Sequence, residues 1–336
     1  MSRMSKSSRV GTLVLALGLI FAGSLWSQPK PNPGPEGAVR NFDARALEQG
    51  PFQRTPEPGQ LRAVQALERQ VPGLSARFDR VTGVTRNLSH PTRSLTSTVP
   101  GSHPREAALG FVRNHLDALG LQPQDLEGFE VTDEVTSSVT GATHVYLRQS
   151  LDGIPVYNGQ LHVNVDKDHR IVSVNNAFLP SLRGAANTLK AAKGAEHAVA
   201  AAADHLGLDR RSLPRVESVG SDAQQTTRLD PTGISRDPIE ARLMLLPINR
   251  GLARLVWNFQ IHTLDGQHYF DLNVDTVSGK VWTRFDWVAD AHTGAQYRVY
   301  AEPDESPLHG TAGRQLIVDP HGSASPLGWH DDGAPT

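Results

Sequence analysis

At 336 residues the chain is long enough for two domains with cores of their own. A formal net charge of -2 gives no electrostatic reason to expect nucleic acid or an anionic membrane surface as partner. The absence of cysteine excludes disulfides, thiolate catalysis, cysteine-ligated zinc and iron–sulfur clusters.

The chain opens on a basic stretch with Arg3, Lys6 and Arg9, followed by the uncharged, mostly apolar run Val10–Trp26, with small residues Ala22 and Ser24 near its end. This pattern predicts a signal peptide over 1–26. A membrane anchor is the alternative, but the run falls short of the roughly 20 apolar residues of a comfortable span. The Pro-rich segment Gln28–Pro35 reads as a spacer. From 27 to about 100 the chain is polar and irregular, interrupted by one helical pattern, Leu61, Val64, Leu67 and Val71, stopped by Pro72-Gly73. A Val/Thr segment around Arg80–Arg86 reads as an edge strand.

Pro104–Leu119 predicts a helix capped by Ser102 or His103 and ended by Gly120, with Leu109, Val112, Leu116 and Leu119 as its apolar stripe. Over Thr143–Ala177 the hydrophobic period drops to two. Val145 and Leu147, then Ile154 and Val156, then Leu161, Val163 and Val165, then Ile171, Val172 and Val174 mark an antiparallel meander cut by Asp152-Gly153, Asn158-Gly159 and the charged break Asp166–His169. An Ala-rich helix is expected over Leu189–Leu206, ended by Gly207. Gly220–Pro238 reads as a mobile polar loop.

Strand signals return at Ala241–Leu246. A second meander then runs through Leu255, Trp257 and Phe259, the turn Leu264-Asp-Gly266, Tyr269–Val274, the turn Ser278-Gly279 and Lys280–Phe285. Leu161-His-Val-Asn-Val-Asp166 matches Phe270-Asp-Leu-Asn-Val-Asp275, and Leu116-Asp-Ala-Leu-Gly-Leu121 matches Ala203-Asp-His-Leu-Gly-Leu208. The repeat predicts an internal duplication and an α+β fold of two related lobes, each a helix packed on an antiparallel meander. The segments are 101–182 and 183–288, followed by a short irregular C-terminal segment, 289–336, in which Tyr297–Tyr300 is a brief strand.

Chemistry is sparse. No two of the 14 histidines lie four apart, which removes the His pair of an HExxH zinc site. His162 and His169 fall on opposite sides of a turn, and His197 and His205 share a helix without a third ligand. Asp166-Lys-Asp168 opens like a calcium loop but lacks its Gly and terminal Glu, so a solvated turn fits better. There is no G-x-S-x-G elbow and no P-loop. Trp257, Tyr269, Trp282 and Trp287 read as core aromatics rather than a groove.

Several of these pieces resemble the N-terminal pro-region of the fungalysin family of secreted zinc metallopeptidases. Asn41-Phe-Asp-Ala-Arg45 carries the resemblance at the start. Tyr146–Asn164, above all Gly153-Ile-Pro-Val-Tyr-Asn-Gly-Gln160, resembles the fungalysin/thermolysin propeptide motif. The second copy, centred on Tyr269–Lys280, resembles a PepSY segment. Arg284-Phe-Asp-Trp-Val288 leading to Tyr297-Arg-Val299 is similar to the junction where such precursors are cut, and Ser325-Pro-Leu-Gly-Trp-His330 to the first piece of the mature enzyme. The family's HExxH and downstream Glu do not occur here, and His330 does not match either, so the chain as it stands is expected to be inactive.

The resemblance implies a non-catalytic pro-region, secreted, acting as intramolecular chaperone and inhibitor of a cognate metallopeptidase catalytic domain in cis or in trans. It implies no cofactor in this chain, but zinc, with calcium as a further candidate, in the catalytic domain of the full-length relative. Neither nucleic acid nor stable membrane insertion after signal cleavage is expected. The small, polar, unanchored stretch Ala289, Asp290, Ala291, His292, Thr293, Gly294 and Ala295 is the candidate processing segment. The alternative is a free-standing secreted PepSY-type binding or inhibitor module with no protease in cis.

Overall fold

The computed structural model describes residues 41–45, 55–98, 103–208, 214–231, 233–288, 296–299 and 315–318. Its frame is a mixed α/β arrangement with a 13-stranded, mostly antiparallel sheet and few helices. In chain order the elements are β1 (Phe42–Asp43), α1 (Pro58–Gln70), β2 (Ser75–Phe78), β3 (Thr85–Ser89), α2 (Pro104–Asn114), α3 (Leu116–Leu119), β4 (Glu130–Thr136), β5 (Thr143–Leu151), β6 (Ile154–Val165), β7 (Ile171–Asn176), α4 (Leu182–Ala185), α5 (Ala195–Leu206), β8 (Val216–Val219), β9 (Thr227–Leu229), β10 (Ile239–Asn249), β11 (Leu252–His262), β12 (Tyr269–Asp275) and β13 (Val281–Asp286). A separate pair, β14 (Gln296–Val299) and β15 (Gln315–Val318), is antiparallel.

The first meander, β4 to β7, is continued by β3 and β2 beyond β7. Its period of two is clean. Along β5, Thr143, Val145, Leu147, Gln149 and Leu151 are buried while the residues between them are half-buried. The buried face packs under α1, α2 and α3 through Leu67, Phe111, Val112, Leu119, Val145, Leu161 and Val174. The predicted helix 104–119 breaks at His115 into α2 and α3; of its predicted stripe Val112 and Leu119 are buried, joined by Ala108 and Phe111, while Leu109 and Leu116 are half-buried. His103 caps it, accepting from the Arg105 N–H. The expected strand over 80–86 is mostly a turn, because the Asp79 carboxylate gathers the N–H groups of Val81 and Thr82. β2 and β3 lie either side of it as a hairpin in a segment otherwise read as irregular, while the helical pattern read at Leu61–Val71 is α1.

The second meander, β10 to β13, packs one face on α4 and α5. The alanines Ala195, Ala198, Ala202 and Ala203 bring α5 close to the Leu255, Trp257 and Phe259 face. The helix is shorter than read. It begins after Gly194, since residues 189–194 are held as loop, with Lys193 N–H on the Thr276 carbonyl. Within the polar stretch read as a loop, Thr227–Leu229 form a strand, β9. β9 pairs both β8 and β10, and Leu229 and Ile234 are buried.

The two meanders repeat the same local devices. Gly120 and Gly207 both end helices in the left-handed region, at φ 77° and 69°. Leu121 and Leu208 N–H then donate to the carbonyls of Leu116 and Ala203, each at 2.9 Å. Asp166 and Asp275, at the ends of the matching strands, cap tight turns. Asp166 Oδ1 accepts from the N–H groups of Asp168 and Arg170, and Asp275 Oδ1 from those of Val277 and Ser278. Asp166–His169 is therefore a turn, as read.

One expectation fails informatively. Asn158-Gly159 does not turn the chain back but forms a bulge inside β6, with Asn158 at φ 55°. A Cβ on Gly159 would sit 2.5 Å from Val156 Cβ, so the kink needs glycine there. Val156 through Gly159 lie opposite Gln149 alone, and the displaced segment reaches the second meander, where Val156 pairs in parallel with Leu245 of β10. This pairing joins the meanders into one sheet.

Candidate functional site

The segment Ala289–Ala295 lies outside the described residues, as do 1–26 and His330. The strand leading to it is described, and its last residue is a hub. The Asp286 backbone N–H donates to Asn41 Oδ1 at 2.8 Å. Its carboxylate Oδ1 accepts from the N–H groups of Tyr269 (3.0 Å) and Val288 (3.1 Å), and Oδ2 lies 2.5 Å from His268 Nδ1. Trp287 N–H donates to the Tyr269 carbonyl, and its ring meets Tyr269 edge-on at 5.4 Å while remaining 58% exposed. The chain thus leaves the sheet from a fixed point beside an exposed indole. Of the four aromatics read as core, Trp257 and Trp282 are buried; Tyr269 is half-buried and Trp287 is not core at all.

β1 lies along the outer edge of β13, pairing Phe42 with Arg284 and Asp43 with Thr283. Ala44 is 3% exposed in a small apolar cluster with Leu246, Ile248, Val256 and Trp282, on the sheet face away from α5.

The seam between the meanders is polar as well as apolar. The Tyr157 hydroxyl donates to Asp271 Oδ2 at 2.6 Å, and Asn258 Nδ2 and Gln260 Nε2 donate to Asp271 Oδ1 at 3.0 and 2.8 Å. Burial first, and then the Asp271 charge, push the Tyr157 phenol well above its usual range, so it stays a donor. From the β10–β11 turn, Arg250 donates to the carbonyls of Thr82 and Gly120.

Under the β5–β6 turn lies a cavity of about 620 Å³ lined in part by Gln122, Asp125, Gln149, Asp152, Ser181 and Arg183. Asp125 is 2% exposed, and burial raises its pKa against the opposing pull of the Gln122 and Ser181 N–H groups, which its two oxygens accept. Arg183 is paired with Asp152 at 2.7 Å. The charges of Asp125, Asp152 and Arg183 are thus already engaged, and no nucleophile–base pair lines the cavity. On the open face of the first meander Tyr146 stacks on His162 at 4.3 Å, and burial first, then His144, hold the His162 pKa down. Among the described residues no group of three or more His, Asp or Glu is arranged to hold a metal. His197 instead contacts Glu196, and His205 contacts Arg284 and Phe42.

Sequence reasoning missed the Asp286 hub and the Tyr157–Asp271 contact. The signal for the first was the acid in Arg284-Phe-Asp-Trp-Val288. For the second it was an Asn-Gly too early in the strand run to close a hairpin.

Residues 127–178, the whole of the first meander, match the Fungalysin/Thermolysin Propeptide Motif. The chain is similar to "Extracellular metalloproteinase MEP" of Leptosphaeria maculans, 30% identical over 61% of this chain and 31% of that one. It is similar to "Extracellular metalloproteinase 2" of Phaeosphaeria nodorum, at 31% over 62% and 32%. It is also similar to "Extracellular metalloproteinase mep" of Aspergillus niger, at 31% over 68% and 36%. The chain therefore spans about a third of the length of these curated relatives. The solved Bacillus megaterium YpeB C-terminal domain superimposes with a TM-score of 0.28 and 8% identity over 70% of this chain and 100% of its own, too low a similarity to define a shared fold. No described helix is long and apolar enough to cross a membrane.

Proposed function

We propose that this fungalysin-type propeptide region is a non-catalytic chaperone and inhibitor of a secreted zinc metalloendopeptidase domain, linked in cis or supplied in trans, and that Ala289–Ala295 is the segment cut on maturation. The observation that carries the reading is the propeptide motif lying over one complete structural unit, β4 to β7, in a chain related to extracellular metalloproteinases and lacking HExxH. The repeated glycine caps and aspartate turns support the finer division into two related lobes, 101–182 and 183–288, after a signal peptide at 1–26 and a pro-segment at 27–100. Zinc belongs to the catalytic partner and not to this chain.

Tethering explains how modest contacts suffice. A linked module sits at an effective concentration on the order of mM, so even a μM surface keeps a cleft mostly closed, and cutting the link removes that advantage. The test is co-expression with a relative's catalytic domain, with N-terminal sequencing of the products and azocasein hydrolysis before and after the cut. A new terminus within 289–297 and activity that rises on cleavage are expected. Failure of the purified chain either to bind or to inhibit that domain would reject the reading and favour a free-standing module.

A further inference from the structure

The motif Asn41-Phe-Asp-Ala-Arg45 is used in the structure as a ligand is used. We propose that the outer edge of β13, with the small apolar pocket beside it, is a binding site for a peptide of the form aromatic–acidic–alanine–arginine, its first two residues added as a strand and its last two turning into the pocket. Residues 41–45 fill it in cis, and its occupancy secures the point where the chain leaves the sheet. The inference does not depend on the pro-region reading.

Every residue of the segment makes a specific contact. Asn41 Oδ1 accepts from the Asp286 backbone N–H. Phe42 and Asp43 extend the sheet by two register pairs, and the Phe42 ring lies 5.0 Å from that of His205. Ala44 fills the pocket formed by Leu246, Ile248, Val256 and Trp282, where a side chain is almost wholly enclosed and a larger one would have to displace its neighbours. Arg45 is held as a fork by Asp43, with Nε on Oδ1 at 2.9 Å and Nη2 on Oδ2 at 2.7 Å, which aims Nη1 at the Pro247 carbonyl at 2.9 Å.

Backbone pairing supplies affinity, and the pocket and fork supply selectivity, as in other cases where a peptide adds a strand to an open edge. A two-residue strand has no stability of its own. Its partners are also distant in sequence, 202 residues for Arg45 and Pro247 and 245 for Asn41 and Asp286. Beyond the local Asp43–Arg45 fork, the described contacts that hold the segment in place come from the edge and its neighbours. Asp286 links this site to the exit. The residue whose N–H is satisfied by Asn41 is the one whose carboxylate fixes the Val288 N–H. Emptying the edge removes one anchor of that residue and exposes the β13 ladder to fraying.

The test uses the full chain. Amide exchange is measured by mass spectrometry in wild type, Ala44→Asp and Arg45→Ala, together with the rate of cleavage beyond Val288 by a broad-specificity protease. A synthetic peptide covering residues 39–47 is then added. In both variants exchange over Thr283–Val288 and cleavage should rise, by about tenfold for Ala44→Asp and less for Arg45→Ala, with β5 to β7 exchanging as in wild type. The peptide should restore protection saturably, and the same peptide carrying Ala44→Asp should not. If Ala44→Asp unfolds the chain globally, Arg45→Ala decides. Unchanged exchange at the exit in that variant, a rise spread evenly over both meanders, or a peptide without saturable effect would overturn the proposal.

Discussion

Tyr157→Phe isolates the contact that ties the meanders together. The substitution removes one oxygen and leaves the ring in place, so packing is preserved while the 2.6 Å bond to Asp271 is lost. A hydrogen bond to a charged group contributes about 1.5–3 kcal/mol. Asp271 keeps the donors Asn258 and Gln260 on its other oxygen, so the carboxylate is not stranded, and the loss should fall in the middle of that range, near ~2 kcal/mol. With a urea slope of about 2 kcal/mol/M the midpoint falls by ~1 M at unchanged slope. Tyr146→Phe, on the open face of the first meander, is the control and should change stability by less than about 0.5 kcal/mol. A double-mutant cycle with Asp271→Asn should return a coupling of about 1 kcal/mol or more.

The phenol also sets a pH limit. Its folded pKa is raised, so its contribution is complete below the unfolded value near ~10 and disappears as pH rises beyond it. The Phe variant should lack this alkaline loss. A Tyr157→Phe protein as stable as wild type, or one whose slope rather than midpoint changes, would refute the reasoning.

Asp275→Ala removes the acceptor for Val277 and Ser278 N–H and for the Trp282 indole, and should cost about 2 kcal/mol in chemical denaturation. Burial raises the Asp275 pKa, but the Ser278 and Val277 N–H groups and the Trp282 indole outweigh it and the net shift is downward. Its contribution is therefore present above the unfolded pKa of about 4 and fades as pH falls through the lower folded value, so Asp275→Asn should flatten the acid side of a stability–pH curve. Ala202→Leu, at a fully enclosed position on α5, should destabilise by about 1–3 kcal/mol through overpacking, seen as a lowered thermal midpoint. Arg250→Ala should lose about 1 kcal/mol and raise amide exchange around Leu119–Leu121, where the guanidinium now meets the end of α3.

Much of this architecture is written locally and could be read. Alternation in β5 follows from one buried face, and the Gly120, Gly207, Asp166 and Asp275 devices are fixed by backbone geometry within a few residues. What escaped reading depends on distant partners. Asn158-Gly159 has the same composition in a bulge as in a hairpin turn, and only β10 beside it decides between them. β9 is a strand because β10 offers an edge and the core takes Leu229, not because residues 220–238 look like one. The five-residue motif at the start resembled a family signature, but no pattern in it announced a strand paired with β13. The exit hub was hidden for the same reason: each of its bonds but one crosses between strands or to the far end of the chain.

The way β6 leaves its own hairpin to meet β10 has a consequence for the order of assembly. Within each meander the pairings are between neighbours and can form early. The Tyr157–Asp271 contact closes a loop of 114 residues and must wait for both. Substitutions at Val145 and Leu161 should slow refolding, whereas Tyr157→Phe should chiefly speed unfolding, with a φ-value near zero. A φ-value near one at Tyr157 would mean that the crossing forms first and the hairpins grow around it.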